Sequence, residues 1–161
     1  MREGLRFKLN TFTQAFGSKE LDASTLLIPV VGFLPARDKR VAGTVAAIEK
    51  RLLRDGFVMR YDTGSSEDGM PAGEGAFLAC SFWLADAYLM LGRRADATRL
   101  LDRLLSLRND VGLLSEEYDA AGSRLVGNFP QALSHIALVN SVHNLMEPEK
   151  PTEQRSGHAV R

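Results

Sequence analysis

Residues 74–110 read EGAFLACSFWLADAYLMLGRRADATRLLDRLLSLRND. The first half is apolar almost all round, whereas the second sets Ala97, Leu100, Leu101, Leu104 and Leu105 on one stripe against a charged face. A helix with no polar side has to be enclosed, and a helix with a single apolar stripe can do the enclosing. This stretch therefore predicts a buried helix covered by an amphipathic one.

Working outward, DKRVAGTVAAIEKRLLRDG (38–56) repeats Val41, Val45, Ile48 and Leu52 at helical spacing, with Asp38 placed to cap the start and Gly56 to stop the end. DASTLLIPVVGFL (22–34) predicts a short, well-buried helix whose limits are blurred by Pro29. TGSSEDGMPAG (63–73) opposes both helix and strand, as loops over functional sites often do. VGLLSEEYDAAGSRLVGN (111–128) holds a turn around Ala121 and Gly122, and FPQALSHIALVNSVHNL (129–145) predicts a last helix with Leu133, Ile136, Val139 and Val142 inward. EPEKPTEQRSGHAVR (147–161) is polar and predicts a disordered tail. With no convincing run of alternating strands, the expected class is all-α, an array of packed helical hairpins.

Composition limits the function. The 161 residues, 45% hydrophobic and 25% charged, suffice for one ordinary domain or part of one. Twenty basic and twenty acidic side chains cancel, so neither nucleic acid nor an anionic membrane surface is an expected partner. Cys80 is the only cysteine, which excludes an internal disulfide or a multi-cysteine zinc site and points to a reducing compartment, the cytoplasm. Neither a signal peptide nor a membrane-spanning run is visible. His135 and His143 lie two turns apart on one predicted helix without a nearby ligand cluster, so no metal is expected, and no glycine loop suggests a cofactor. Cys80, Trp83 and Tyr88 at helical spacing fit core packing.

Five blocks in register, FTQAFGSKELDASTLLIPVVGFLP (12–35), DGFVMRY (55–61), GEGAFLACSFWLADA (73–87), LRNDVGLLSEEYD (107–119) and GNFPQALSHIALVNS (127–141), resemble consecutive segments of glycoside hydrolase family 15, the glucoamylase- and trehalase-like enzymes. The resemblance implies an (α/α)6 toroid, with residues 1–146 forming the C-terminal part of its catalytic domain and about half of its ring. It also implies inverting hydrolysis of α-glucosidic bonds in a glucoside or α-glucan, in which one carboxylic acid protonates the leaving oxygen and one carboxylate activates water.

On this resemblance Glu116 is the general base. Glu117 is the obvious competitor, but adjacent side chains on an extended or turning segment point in different directions. Arg60 matches a family arginine that holds sugar hydroxyls with its fixed donors, although a surface ion pair would also account for it. Glu74 and Phe77 open the pocket-lining helix as substrate-binding residues. An acidic residue at a helix start is also stabilised by the macrodipole, which gives Glu74 a second explanation.

The family's general acid belongs to an earlier segment that nothing before Arg60 resembles, and neither Glu20 nor Asp22 occupies its position. The expected chain is thus a truncated gene product, the product of an alternative start, or one piece of a split enzyme, paired with a complementary N-terminal half or with itself. The competing class is a noncatalytic α-helical scaffold that binds another protein through exposed helix faces.

Overall fold

In the computed structural model, which describes residues 5–6, 10–62 and 75–146, the chain begins with a small antiparallel pair, β1 (Leu5–Arg6) and β2 (Thr11–Phe12). A 3-10 turn over Ala23–Leu26 runs into the one-turn helix α1 (Leu27–Val30). Asp22 caps that turn by accepting the Ser24 N–H at 2.7 Å. Helix α2 (Lys39–Arg51) starts at Asp38, whose carboxylate accepts the Arg40 N–H at 2.8 Å. It buries Val41, Val45 and Ile48, the stripe read from the sequence.

Gly56 has another job than ending that helix. Strands β3 (Leu53–Arg54) and β4 (Phe57–Val58) form a hairpin closed by Asp55 and Gly56, both with positive φ, 50° and 80°. Asp-Gly at such a turn matches the twist of the flanking strands. Arg103 seals it: its guanidinium lies 4.6 Å from the Phe57 ring centroid and donates to the Asp55 carbonyl at 2.7 Å. A Cβ on Gly56 would stand 2.9 Å from the Arg103 Cζ.

After β5 (Ala76–Phe77) comes α3 (Leu78–Met90), in which Trp83 alone escapes full burial. Helix α4 (Arg94–Leu105) lays Ala97, Leu100, Leu101 and Leu104 against it. A three-stranded antiparallel sheet follows, in the order β5, β6 (Glu117–Asp119), β7 (Arg124–Val126), and α5 (Ala132–Met146) returns across α3. The body is helical as expected, with three small sheets beside the helices that the sequence reading does not include. Each strand is two or three residues long, too short for alternation to be visible. The loop 63–73, Glu74 and the tail 147–161 lie outside the described residues. Among those described, no helix is long and apolar enough to cross a membrane.

Helix α5 reverses the expected facing. Ser134, Ala137, Ser141 and Asn144 are buried, while Leu133, Ile136 and Val139 are 54%, 57% and 65% exposed and Val142 is half-buried. Small side chains let the α5 backbone approach α3 closely, and their hydroxyls find acceptors: Ser134 Oγ donates to Ser115 O at 2.7 Å and Ser141 Oγ to Phe82 O at 3.3 Å. Periodicity located an apolar stripe correctly but could not say whether this chain supplies what covers it.

Beneath α5, Asp86 is 4% exposed and accepts from Asn144 Nδ2 at 3.1 Å. Burial pushes its carboxyl up to about 6, against the opposing effect of hydrogen bonds from Asn144 and Ser141. A raised acid favours the protonated folded state, so its contribution is complete below the ordinary carboxyl value of 3.8 and is lost as pH rises through about 6. Urea denaturation should therefore show wild type losing about 2 kcal/mol relative to Asp86→Asn between pH ~4 and ~7. A constant difference would remove Asp86 as the cause. By the same method Phe82→Ala should lower stability by about 3–5 kcal/mol, whereas Leu133→Ala and Ile136→Ala should each change it by less than ~1 kcal/mol. Core-sized losses at those two positions would contradict the facing of α5.

Candidate active site

Three of the expected site residues, Arg60, Phe77 and Glu116, belong to segments that meet at the N-terminal end of α3. Arg60 follows β4. Its carbonyl accepts the Ala23 N–H at 2.8 Å, and its Nε donates to Asp22 Oδ1 at 2.9 Å. Asp22 is 5% exposed, while the Arg60 side chain is 43% exposed. A buried carboxylate with a second duty as helix cap thus fixes one edge of the guanidinium. The same hydrogen bond raises the Arg60 pKa above its ordinary value. The sequence shows Asp22 as the start of a helix and not as the general acid. Its grip on Arg60 is invisible there because the two lie 38 residues apart.

The first turn of α3 carries Cys80, which lies within the field of Arg60 and Asp22, and whose thiol is pushed up chiefly by burial. The Ser81 hydroxyl accepts the Val58 N–H at 2.9 Å, locking β4 to this turn. Phe77 precedes the helix on extended backbone, half-buried, and meets Trp83 edge-to-face with ring centroids 6.2 Å apart. Glu74 lies outside the described residues.

Glu116 reaches the same end from the other side. Its carbonyl accepts the Leu78 N–H at 3.0 Å, and its own N–H donates to Asn128 O at 2.9 Å. Its Oε2 accepts twice from Asn128, from the backbone N–H at 3.1 Å and from Nδ2 at 2.8 Å. Gly127 makes the corner possible, because its φ of 76° suits glycine and a Cβ there would stand 3.0 Å from the Glu116 Cβ. Glu117 pairs in register with Phe77 and Val126, and its Oε2 accepts the Gly75 N–H at 3.1 Å. The two neighbouring carboxylates are thus engaged by different segments.

The strand is anchored behind Glu116. Ser115 Oγ donates to Glu117 O at 2.6 Å, and Gln131 N–H donates to Leu114 O at 3.0 Å. His135 Nε2 accepts the Leu114 N–H at 3.2 Å while its Nδ1 contacts Gln131 O at 2.7 Å, an arrangement that requires the Nδ1-protonated tautomer. His135 is thereby a backbone clasp. Among the described residues no group of three or more His, Cys, Asp or Glu side chains could hold a metal ion.

Among the described residues neither a hydrogen bond nor an ion pair joins Arg60 to Glu116, so the two flank the α3 end without direct contact. A cleft of about 400 Å³ opens elsewhere, between α1, α3 and α5, and is lined by neither. Glu20 pairs with Arg51 at 3.4 Å.

The sequence pattern of glycosyl hydrolases family 15 matches residues 4–143. The trehalase of Mycobacterium tuberculosis is 43% identical over 142 residues, covering 88% of this chain and 21% of that protein. The trehalase of Thermoplasma volcanium is 38% identical over 148 residues, covering 91% and 23%. A solved wild-type glycosidase superposes with a TM-score of 0.70 at 26% identity, over 87% of this chain and 40% of that one. The chain therefore spans less than a quarter of the length of these two curated relatives.

The Asp22–Arg60 geometry yields a stability test. Asp22→Ala removes a helix cap and leaves the Arg60 Nε without this acceptor, which should lower stability by about 1–3 kcal/mol in chemical denaturation. A change below ~0.5 kcal/mol would mean that the pair does not form.

Proposed function

The chain belongs to glycosyl hydrolases family 15, and from that premise we propose that residues 1–146 are the C-terminal part of an inverting catalytic domain in which Glu116 is the general base. The observation that supports this most is the placement of Glu116 beside the first turn of α3, with Arg60 at the same end and Glu117 turned to another partner. Inversion needs a carboxylate and a carboxylic acid about 6.5–9.5 Å apart, with water between the base and the anomeric carbon. The general acid comes from the remaining part of the domain, and the apolar outer face of α5 is where helices of an (α/α)6 ring close against this chain.

The substrate class is an α-glucoside. Trehalose is favoured because the curated relatives cited above are trehalases. Arg60, oriented by Asp22, donates to sugar hydroxyls. Phe77 covers an apolar sugar face, and Glu74 accepts hydroxyl protons. The single cysteine Cys80 supports a cytoplasmic setting.

The chain combined with the rest of the domain should release glucose from trehalose, whereas the 161-residue chain alone should release almost none, because a base without its acid leaves the departing oxygen unprotonated. In the combined form Glu116→Gln should lower turnover by roughly 10²–10⁴-fold and Glu117→Gln by less than about tenfold, measured as glucose from trehalose, maltose and soluble starch. The reverse ordering would overturn the assignment of the base.

A further inference from the structure

We infer that Asn128 is a positioning residue: it commits one carboxylate oxygen of Glu116 to the protein and reserves the other, Oε1, as the oxygen that takes the proton. The inference rests on the proposed role of Glu116 as general base, and adds which of its atoms acts and what holds it there.

A glutamate on a strand edge has three side-chain torsions, and a freely rotating carboxylate presents either oxygen in many directions. Here both donors of Asn128, backbone N–H at 3.1 Å and Nδ2 at 2.8 Å, converge on the same oxygen, Oε2. The backbone of Asn128 is itself tied to Glu116, since Asn128 O accepts the Glu116 N–H at 2.9 Å. Gly127 brings the corner to within 3.2 Å of Oε2, measured from where a Cβ would stand. The contact is a three-point clasp in which the carboxylate is gripped by the residue whose backbone also pairs with it. Among the described residues no donor reaches Oε1.

Hydrogen bonds to an ionised carboxylate are charge-assisted and draw negative charge to the oxygen that receives them. Two of them on Oε2 leave Oε1 as the acceptor for a third proton, that of water. In the step this serves, a water O–H bond breaks and its proton goes to Oε1. The water oxygen bonds to the anomeric carbon as the glycosidic C–O bond breaks, and the departing oxygen takes a proton from the carboxylic acid of the remaining domain. Holding the rotamer beforehand removes a reorganisation that the transition state would otherwise require.

The test uses the full 161-residue chain and needs no turnover. Three-bond scalar couplings about Glu116 χ1, read by NMR with labelled glutamate, should sit at single-rotamer limits in wild type. In Asn128→Ala and in the isosteric Asn128→Asp, which replaces the Nδ2 donor with an acceptor, they should move to averaged values. Amide spectra otherwise matching wild type would show that the exposed substitutions leave the fold intact. Averaged couplings in wild type, or unaveraged ones in both variants, would overturn the clamp. In the combined enzyme Asn128→Ala should lower kcat about tenfold with KM within twofold of wild type, the scale of losing one orienting hydrogen bond. An unchanged kcat with averaged couplings would overturn the catalytic use of the clamp. Normal turnover in Glu116→Gln would instead overturn the base assignment itself.

Discussion

Helix α3 has no side that water can solvate, and the other elements are arranged by the need to cover it. Helix α4 lies along it, the turn at Ala23 and strand β4 close its early turns, and α5 crosses it with small residues. Because α3 is enclosed along its length, its first turn becomes the fixed point to which extended segments attach. Leu78 N–H binds the Glu116 carbonyl and Ser81 binds Val58. The candidate site is the by-product of that attachment: loops that must cap one end of a buried helix bring Arg60 and Glu116 to the same end of α3 without direct contact between them.

The division of labour between neighbouring acids follows from the same geometry. Glu117 stands in register with Phe77, and its carboxylate closes on the Gly75 N–H, whereas Glu116 folds back on Asn128. Arg60 is likewise defined by what grips it, since Asp22 is buried and already committed as a helix cap. In both cases a residue with a structural duty fixes the direction of a residue able to do chemistry.

Long apolar periodicities could be read from the sequence: the Asp38 cap, the stripe of α2, the enclosure of α3 and the cover of α4 are written in side-chain spacing. Two-residue strands are not, because alternation needs length, and Gly56, read as a helix stop, instead closes a hairpin with Asp55. The facing of α5 was misread because apolar residues announce burial against some partner without naming it, and here Ser134, Ala137 and Ser141 face inward. The role proposed for Glu116 rests on resemblance, since an acidic pair before a tyrosine has no spacing of its own. Its partner Asn128 could not be seen at all, being twelve residues away and joined by a turn whose geometry depends on Gly127.

Gly127 has a consequence for how this site can change through mutation. Its backbone occupies the left-handed region, and the Glu116 side chain crowds the space beside it, so a side chain there is strained in torsion and must push Glu116 aside. Substituting it disturbs the strand pairing, the Asn128 donors and the carboxylate together, leaving no intermediate in which one moves alone. The corner is therefore a unit that mutation alters as a whole, since Glu116, Gly127 and Asn128 hold one another in place.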